Sequence, residues 1–357
     1  MIRGLKIKAI RTAVLLAGAA LTVLAPATQG DARSKPQPEP PVVYAPPPPP
    51  PFLPPGLNDR MITDAAAFQA YTQRVTQLPT MFHDGATVAS TVRSGMPYDS
   101  ATLVRGAVSF GAIAALQEPS FVAAVRAAGQ DPEKRRLMLN RFIADPAYVF
   151  TFPGAEAAAR NAKAAIGGTG LRLMAAGAAT RQSAYDVQHE AWSKGFVVDP
   201  DGRLAAAKST GASGGVSTPD VVAALRGGVT GGAPLGLGSE PLVRYQTPLI
   251  AKAMALAGFA AVGEAGDAAY QRLTYLTTEQ NTAYCLHTAQ LMVNQCLAVA
   301  KPHYEDVFCL GQHMLYDTGQ CLALNGGGLR VIALPTPKPL KLLPPKAGAR
   351  KPVKRHR

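Results

Sequence analysis

Apolar residues in the middle of this 357-residue chain recur at three- and four-residue steps, as Leu103, Ala107, Phe110 and Ala114 do, and Leu137 and Arg141 with their neighbours Met138 and Phe142 repeat the step. That spacing lays side chains along one face of a helix, and such stripes call for a helical partner. From about 57 to 325 alanine, leucine and glutamine abound and no stretch sustains period-two alternation of β-branched residues. The pattern predicts an all-α fold. Helix starts are written chemically in Asp131-Pro132-Glu133, Thr218-Pro219-Asp220 and Thr247-Pro248. Each puts a capping side chain before a proline at the first helical position, where a missing N–H costs nothing. The alanine- and glycine-rich stretch from Ala155 to Ala179 predicts helix axes that approach closely.

Two segments break this pattern. Residues 195–238 hold eleven glycines in 44 positions, which predicts a flexible surface excursion around one short helix, Pro219 to Arg226. From Pro36 to Pro55 twelve of twenty residues are proline, so an extended polyproline II tether is expected there. The resulting organisation is a leader (1–27), a proline-rich disordered tether (28–56) and an N-terminal helical region (57–194). A glycine-rich flexible region (195–245), a C-terminal helical region with four cysteines (246–327) and a disordered tail (328–357) follow. The helical regions are either two domains or one bundle with a long loop.

The four cysteines carry the strongest signal. Tyr284-Cys285-Leu286 recurs as Phe308-Cys309-Leu310, and Gln295-Cys296-Leu297-Ala298 as Gln320-Cys321-Leu322-Ala323, with Lys301-Pro302 as breaker between the copies. Two antiparallel helices are expected. Cys285 and Cys296 stand about 16 Å apart along one helix, beyond the roughly 4.4–6.8 Å that a disulfide spans. In an antiparallel hairpin facing positions have a constant sum. Cys285 with Cys321 and Cys296 with Cys309 sum to 606 and 605, so both pairs can close across one interface. The eleven-residue step from Cys285 to Cys296 returns to nearly the same helix face. The twelve-residue step from Cys309 to Cys321 overshoots by a third of a turn, which demands local bending or an end residue outside ideal helix. The expected fold is therefore a helical bundle with a disulfide-stapled hairpin at its C-terminal end.

Charge looks at first like a nucleic-acid binder, since 36 basic residues against 23 acidic leave a formal +13. Four of the basic residues, Arg3, Lys6, Lys8 and Arg11, lie in the leader. Eight more, Lys338, Lys341, Lys346, Arg350, Lys351, Lys354, Arg355 and Arg357, lie in the last 20 positions. Removing these twelve leaves 24 against 23, and a basic groove on the body is excluded as an expectation. The leader itself is basic to residue 11 and apolar from Thr12 to Ala25, and ends on Ala25-Pro26-Ala27. It reads as a secretory signal peptide cleaved near Ala27, with an uncleaved inner-membrane anchor as the alternative. An even cysteine count suits the oxidising space such a leader implies.

Other chemistry is sparse. Cys285-Leu286-His287 and Cys309 with His313 bring imidazoles near thiols, yet C-x-x-C, C-x-x-C-H and H-E-x-x-H are missing, so no metal and no cofactor is called for. Gly211-Ala212-Ser213-Gly214-Gly215 spells a nucleophile elbow without the strand and helix that motif requires. His189, Glu190 and Trp192 are near neighbours in sequence and read as an aromatic anchor. His303, Tyr304, Glu305 and Asp306, after the Lys301-Pro302 breaker, form a candidate recognition tip, although the two carboxylates also suit the first turn of a helix. The eight basic residues of the tail are candidates for binding an anionic surface. The sequence thus predicts an exported, periplasmic helical binding or scaffold protein whose partners are anionic envelope polymers or lipid headgroups, with a protein partner also open and no nucleic acid. The alternative is an envelope hydrolase with a dispersed site around His189 and Glu190 or His303 and Glu305.

Overall fold

A computed structural model describes residues 53–329 except 97, 213–216, 240, 241 and 243. The leader, nearly all of the proline tether and the basic tail lie outside the described residues. Within them the protein is all-helical, and strand-like pairing is confined to two isolated bridges, Leu57 with Ala265 and Phe196 with Pro302.

Helices α1 (Asp59–Thr76), α2 (Gly85–Gly95), α3 (Ser100–Ala115), α4 (Pro119–Ala128) and α5 (Pro132–Ala144) follow in order. Two of the three predicted caps make their hydrogen bond, and the third, Thr218, does not. Asp131 accepts a hydrogen bond from the Lys134 amide at the start of α5, and Thr247 accepts one from Ile250 at the start of α10 (Pro248–Ala261). Helices α3 and α10 are buried on almost every side and pack on each other, with α1 and α6 (Ala155–Lys163) against α3. In α3, the predicted stripe of Leu103, Ala107, Phe110 and Ala114 is buried. In α5 the stripe is shifted: Met138, Leu139 and Phe142 point inward, while Leu137 and Arg141 face solvent. Phe142 meets Phe259 and Phe152, and a Cβ at Gly258 would come within 2.6 Å of its ring. Full burial of such a ring contributes roughly 2–3 kcal/mol. One apolar cluster runs from Leu57 to Leu322, so the four-cysteine region shares its core with the helices before it.

Two long helices form the second half of this core. One passes from α6 through a π segment (Ala164–Gly168) into α7 (Thr169–Val187). The other passes from α13 (His303–Cys309) through a π segment (Leu310–Asp317) into α14 (Thr318–Asn325). They run in opposite directions with backbone against backbone. A Cβ on Gly167 would lie 2.5 Å from the Gly326 carbonyl oxygen, on Gly170 2.6 Å from that of Gly319, and on Gly177 2.5 Å from the Tyr316 nitrogen. Glycine is needed there because no side chain fits, as the small-residue stretch predicted.

After the one-turn α11 (Tyr270–Leu273), helix α12 (Gln280–Val299) lies on this pair and is bonded to it twice, Cys285 to Cys321 and Cys296 to Cys309, with Cα separations of 5.7 and 5.6 Å. The π segment lies between Cys309 and Cys321. A π turn closes on the fifth residue instead of the fourth and so takes up about one more residue per turn. Twelve residues then rotate about as far as eleven would in an α-helix, which removes the overshoot.

The glycine-rich region holds two helices rather than one. Before α9 (Pro219–Val229) stands α8 (Pro200–Ala212). Asp199-Pro200 repeats the cap-and-proline signal, and the Asp199 side chain accepts from the Gly202 amide. The expected surface excursion around one helix is corrected to two helices that reach the core, where Leu225 and Val229 of α9 and Ala207 of α8 belong.

Candidate functional site

The chemistry-bearing residues that the fold brings together surround the junction of α12 and α13. This junction is covered by the segment from Trp192 to α8. The Val197 amide donates to the Lys301 carbonyl at 2.8 Å, and the His303 amide to that of Gly195 at 3.1 Å. Arg203 of α8 then closes the strap. Its Nη1 donates to Asp306 Oδ1 at 2.5 Å, and its Nη2 donates to the carbonyls of Leu297 and Ala300. One guanidinium thereby neutralises the negative C-terminal end of α12 and a carboxylate in the first turn of α13. Both charges are out of water, with side-chain exposures of 7% and 1%. Burial raises the Asp306 pKa above the ordinary carboxylate value, and the Arg203 charge opposes that rise.

The recognition tip expected at residues 303–306 is therefore not an exposed tip. Asp306 is buried under α8, and Glu305 accepts from the Lys301 amide at 2.8 Å. The His303 ring fills the space where a Cβ of Gly85 would stand. The sequence offered no warning of this cover, because Arg203 and Asp306 are 103 positions apart. Only the cap-and-proline start of α8 hinted at a helix there.

Beside the strap an apolar groove of about 290 Å³ opens between the end of α7 and the Cys296–Cys309 disulfide. Tyr185 is half exposed and its ring meets Phe308 edge-on at 6.2 Å. Tyr304 and Val299 complete the apolar walls, and among the described residues Glu305 is the one charged residue in the lining. Of the predicted tip residues, Tyr304 and Glu305 thus face a binding-sized cavity, while His303 and Asp306 do not line it. Tyr185, Val299 and Phe308 escaped sequence reasoning, since an aromatic residue on a helix looks the same whether it builds core or groove.

Of the dispersed set considered for hydrolysis, His303 and Glu305 lie on α13 at the strap. His189 is exposed, and the Glu190 carboxylate accepts from the Trp192 indole N–H. Trp192 is packed partly against the core. Among the described residues no three of His, Cys, Asp and Glu gather where they could hold a metal ion. No single described helix is long and apolar enough to cross a membrane. The eight basic tail residues, from Lys338 to Arg357, lie outside the described residues. No protein family model, curated protein or solved structure matches this chain.

Proposed function

We propose that this is an exported helical binding or scaffold protein of a cell envelope. In this reading a cleaved leader and a proline tether precede a body whose α12 and α13–α14 form a disulfide-stapled antiparallel hairpin. The basic tail associates with anionic envelope polymers or lipid headgroups. The observation that carries the reading is the separation of charge: 24 basic against 23 acidic residues in the body and leader-free middle, and eight basic with no acidic residue in the last 20. Two closed disulfides among four cysteines are compatible with an oxidising compartment.

The test is cosedimentation of the oxidised full chain with phosphatidylglycerol-containing vesicles and with purely zwitterionic ones. A variant with the eight tail Lys and Arg residues changed to Gln is measured alongside. At about 1 kcal/mol per basic residue near an anionic surface, even three engaged residues give roughly a hundredfold difference in binding, and that difference shrinks as salt rises. Equal recovery of the two chains would overturn the assignment of the tail.

A further inference from the structure

We infer that the groove between the end of α7 and the Cys296–Cys309 disulfide binds a proline- and lysine-rich segment, and that its occupant is this chain's own Pro337–Lys341. Three observations meet in this inference. The first is the chemistry of the walls. Tyr185, Tyr304 and Phe308 offer ring faces and edges to an apolar cavity, and exposed aromatic grooves take proline rings at small cost in ordering because proline is already restricted. Glu305 supplies a carboxylate, and among the described residues no basic side chain lines the cavity to repel a lysine.

The second is reach. Gly328 lies against Gly167, and the Leu329 carbonyl accepts from the Tyr245 hydroxyl at 2.8 Å, so the described chain ends beside the start of α7. The groove lies at Ala184–Gln188, 17 or more residues further along that helix, or about 25 Å. Eight extended residues after Leu329 span about 25 Å at roughly 3.1 Å each, which brings Pro337 to the groove. The third is composition. Pro337-Lys338-Pro339-Leu340-Lys341 alternates rings and cations, whereas the other proline-rich stretch, Pro36–Pro55, contains no lysine or arginine and carries Glu39. Charge complementarity with Glu305 selects the tail over the tether. At three residues per polyproline II turn, Lys338 and Lys341 fall on one face and Pro337 and Leu340 on another, as a groove with one acidic side requires.

The inference goes beyond the envelope reading and needs no membrane to be tested. The photo-crosslinking residue p-benzoylphenylalanine is placed at position 299 of the oxidised full chain, where Val299 is 74% exposed on the groove rim. Irradiation is expected to join position 299 to peptides from residues 335–346 with a yield independent of protein concentration. The yield should fall about fivefold in the Lys338→Glu/Lys341→Glu variant, which leaves the groove untouched. It should fall similarly in Glu305→Lys and recover when the three substitutions are combined. Crosslinks to other segments only, a yield that rises with protein concentration, or no recovery in the charge-swapped variant would each overturn the assignment.

Discussion

Replacing Arg203 with Met tests the strap most directly. The substitution keeps much of the aliphatic stem but removes the partner of a carboxylate that is 1% exposed. Asp306 cannot be rescued by solvent, so it must stay charged and unpaired or take a proton. Protonation sets the ceiling on the cost. From an ordinary value of 3.8 to pH 7 is about three units at roughly 1.4 kcal/mol each, so the charge penalty cannot exceed about 4 kcal/mol. Loss of the hydrogen bonds to the Leu297 and Ala300 carbonyls adds about 1 kcal/mol each, independent of pH. The expected loss at pH 7 is about 3–5 kcal/mol, the usual result of breaking a buried pair from one side.

Its sign with pH follows from linkage. A carboxyl whose pKa is raised on folding binds more protons folded than unfolded, so its stability contribution is lost as pH rises and regained as pH falls towards the unfolded value. The Arg203→Met deficit should therefore shrink between pH 7 and pH 4. Urea denaturation with disulfides intact measures it by far-ultraviolet circular dichroism, and the fluorescence of the single Trp192 reports on the covering segment. Adding Asp306→Leu should recover at least 2 kcal/mol at pH 7, since an apolar pair needs no counter-charge. A deficit below 1 kcal/mol at pH 7, or one identical at pH 4 and pH 7, would refute the strap.

Other consequences are as open to measurement. Gly177→Ala places a Cβ 2.5 Å from the Tyr316 nitrogen, backbone that cannot step aside, and should cost at least about 1–3 kcal/mol by urea denaturation. Paired Cys→Ser replacements should cost about 2–4 kcal/mol each. The Cys285–Cys321 pair should be the more expensive by about 1 kcal/mol because it closes a sequence separation of 36 rather than 13. Non-reducing peptide mapping beside the melts verifies the bond that remains. Burial pushes the Tyr98 hydroxyl up to about 12 even though Thr318 bonds to it. Its contribution is complete below about pH 10 and drains as pH climbs towards 12, so absorbance titration at 295 nm should show Tyr98 ionising only with unfolding. A Tyr98→Phe variant with an unchanged alkaline transition would contradict that.

The strap and the groove share a border, which gives the disulfides a role besides stability. Cys296 and Cys309 form one wall of the groove, and α12 and α13, which they join, also supply Val299, Tyr304, Glu305 and Phe308. Arg203 holds the junction of these two helices from the other side. The cavity is shaped by two fastenings, one covalent and one electrostatic, so its walls should loosen when either is removed.

Helix content, three of the helix starts, the close glycine packing and the cysteine pairing were all legible in the linear chain. Each is a matter of local chemistry or of repeat spacing: a cap before proline, a missing side chain, a pair of sums that agree. The π segment was legible only as a demand, a third of a turn to be absorbed somewhere between Cys309 and Cys321. What tertiary structure alone decided was exposure. It put Asp306 under Arg203 from 103 positions away, turned Met138 rather than Leu137 inward, and left Tyr185 and Phe308 facing an open groove. Local rules act over a few residues along the backbone, whereas burial depends on which distant surface arrives to cover a side chain, and that surface exists only once the helices have packed.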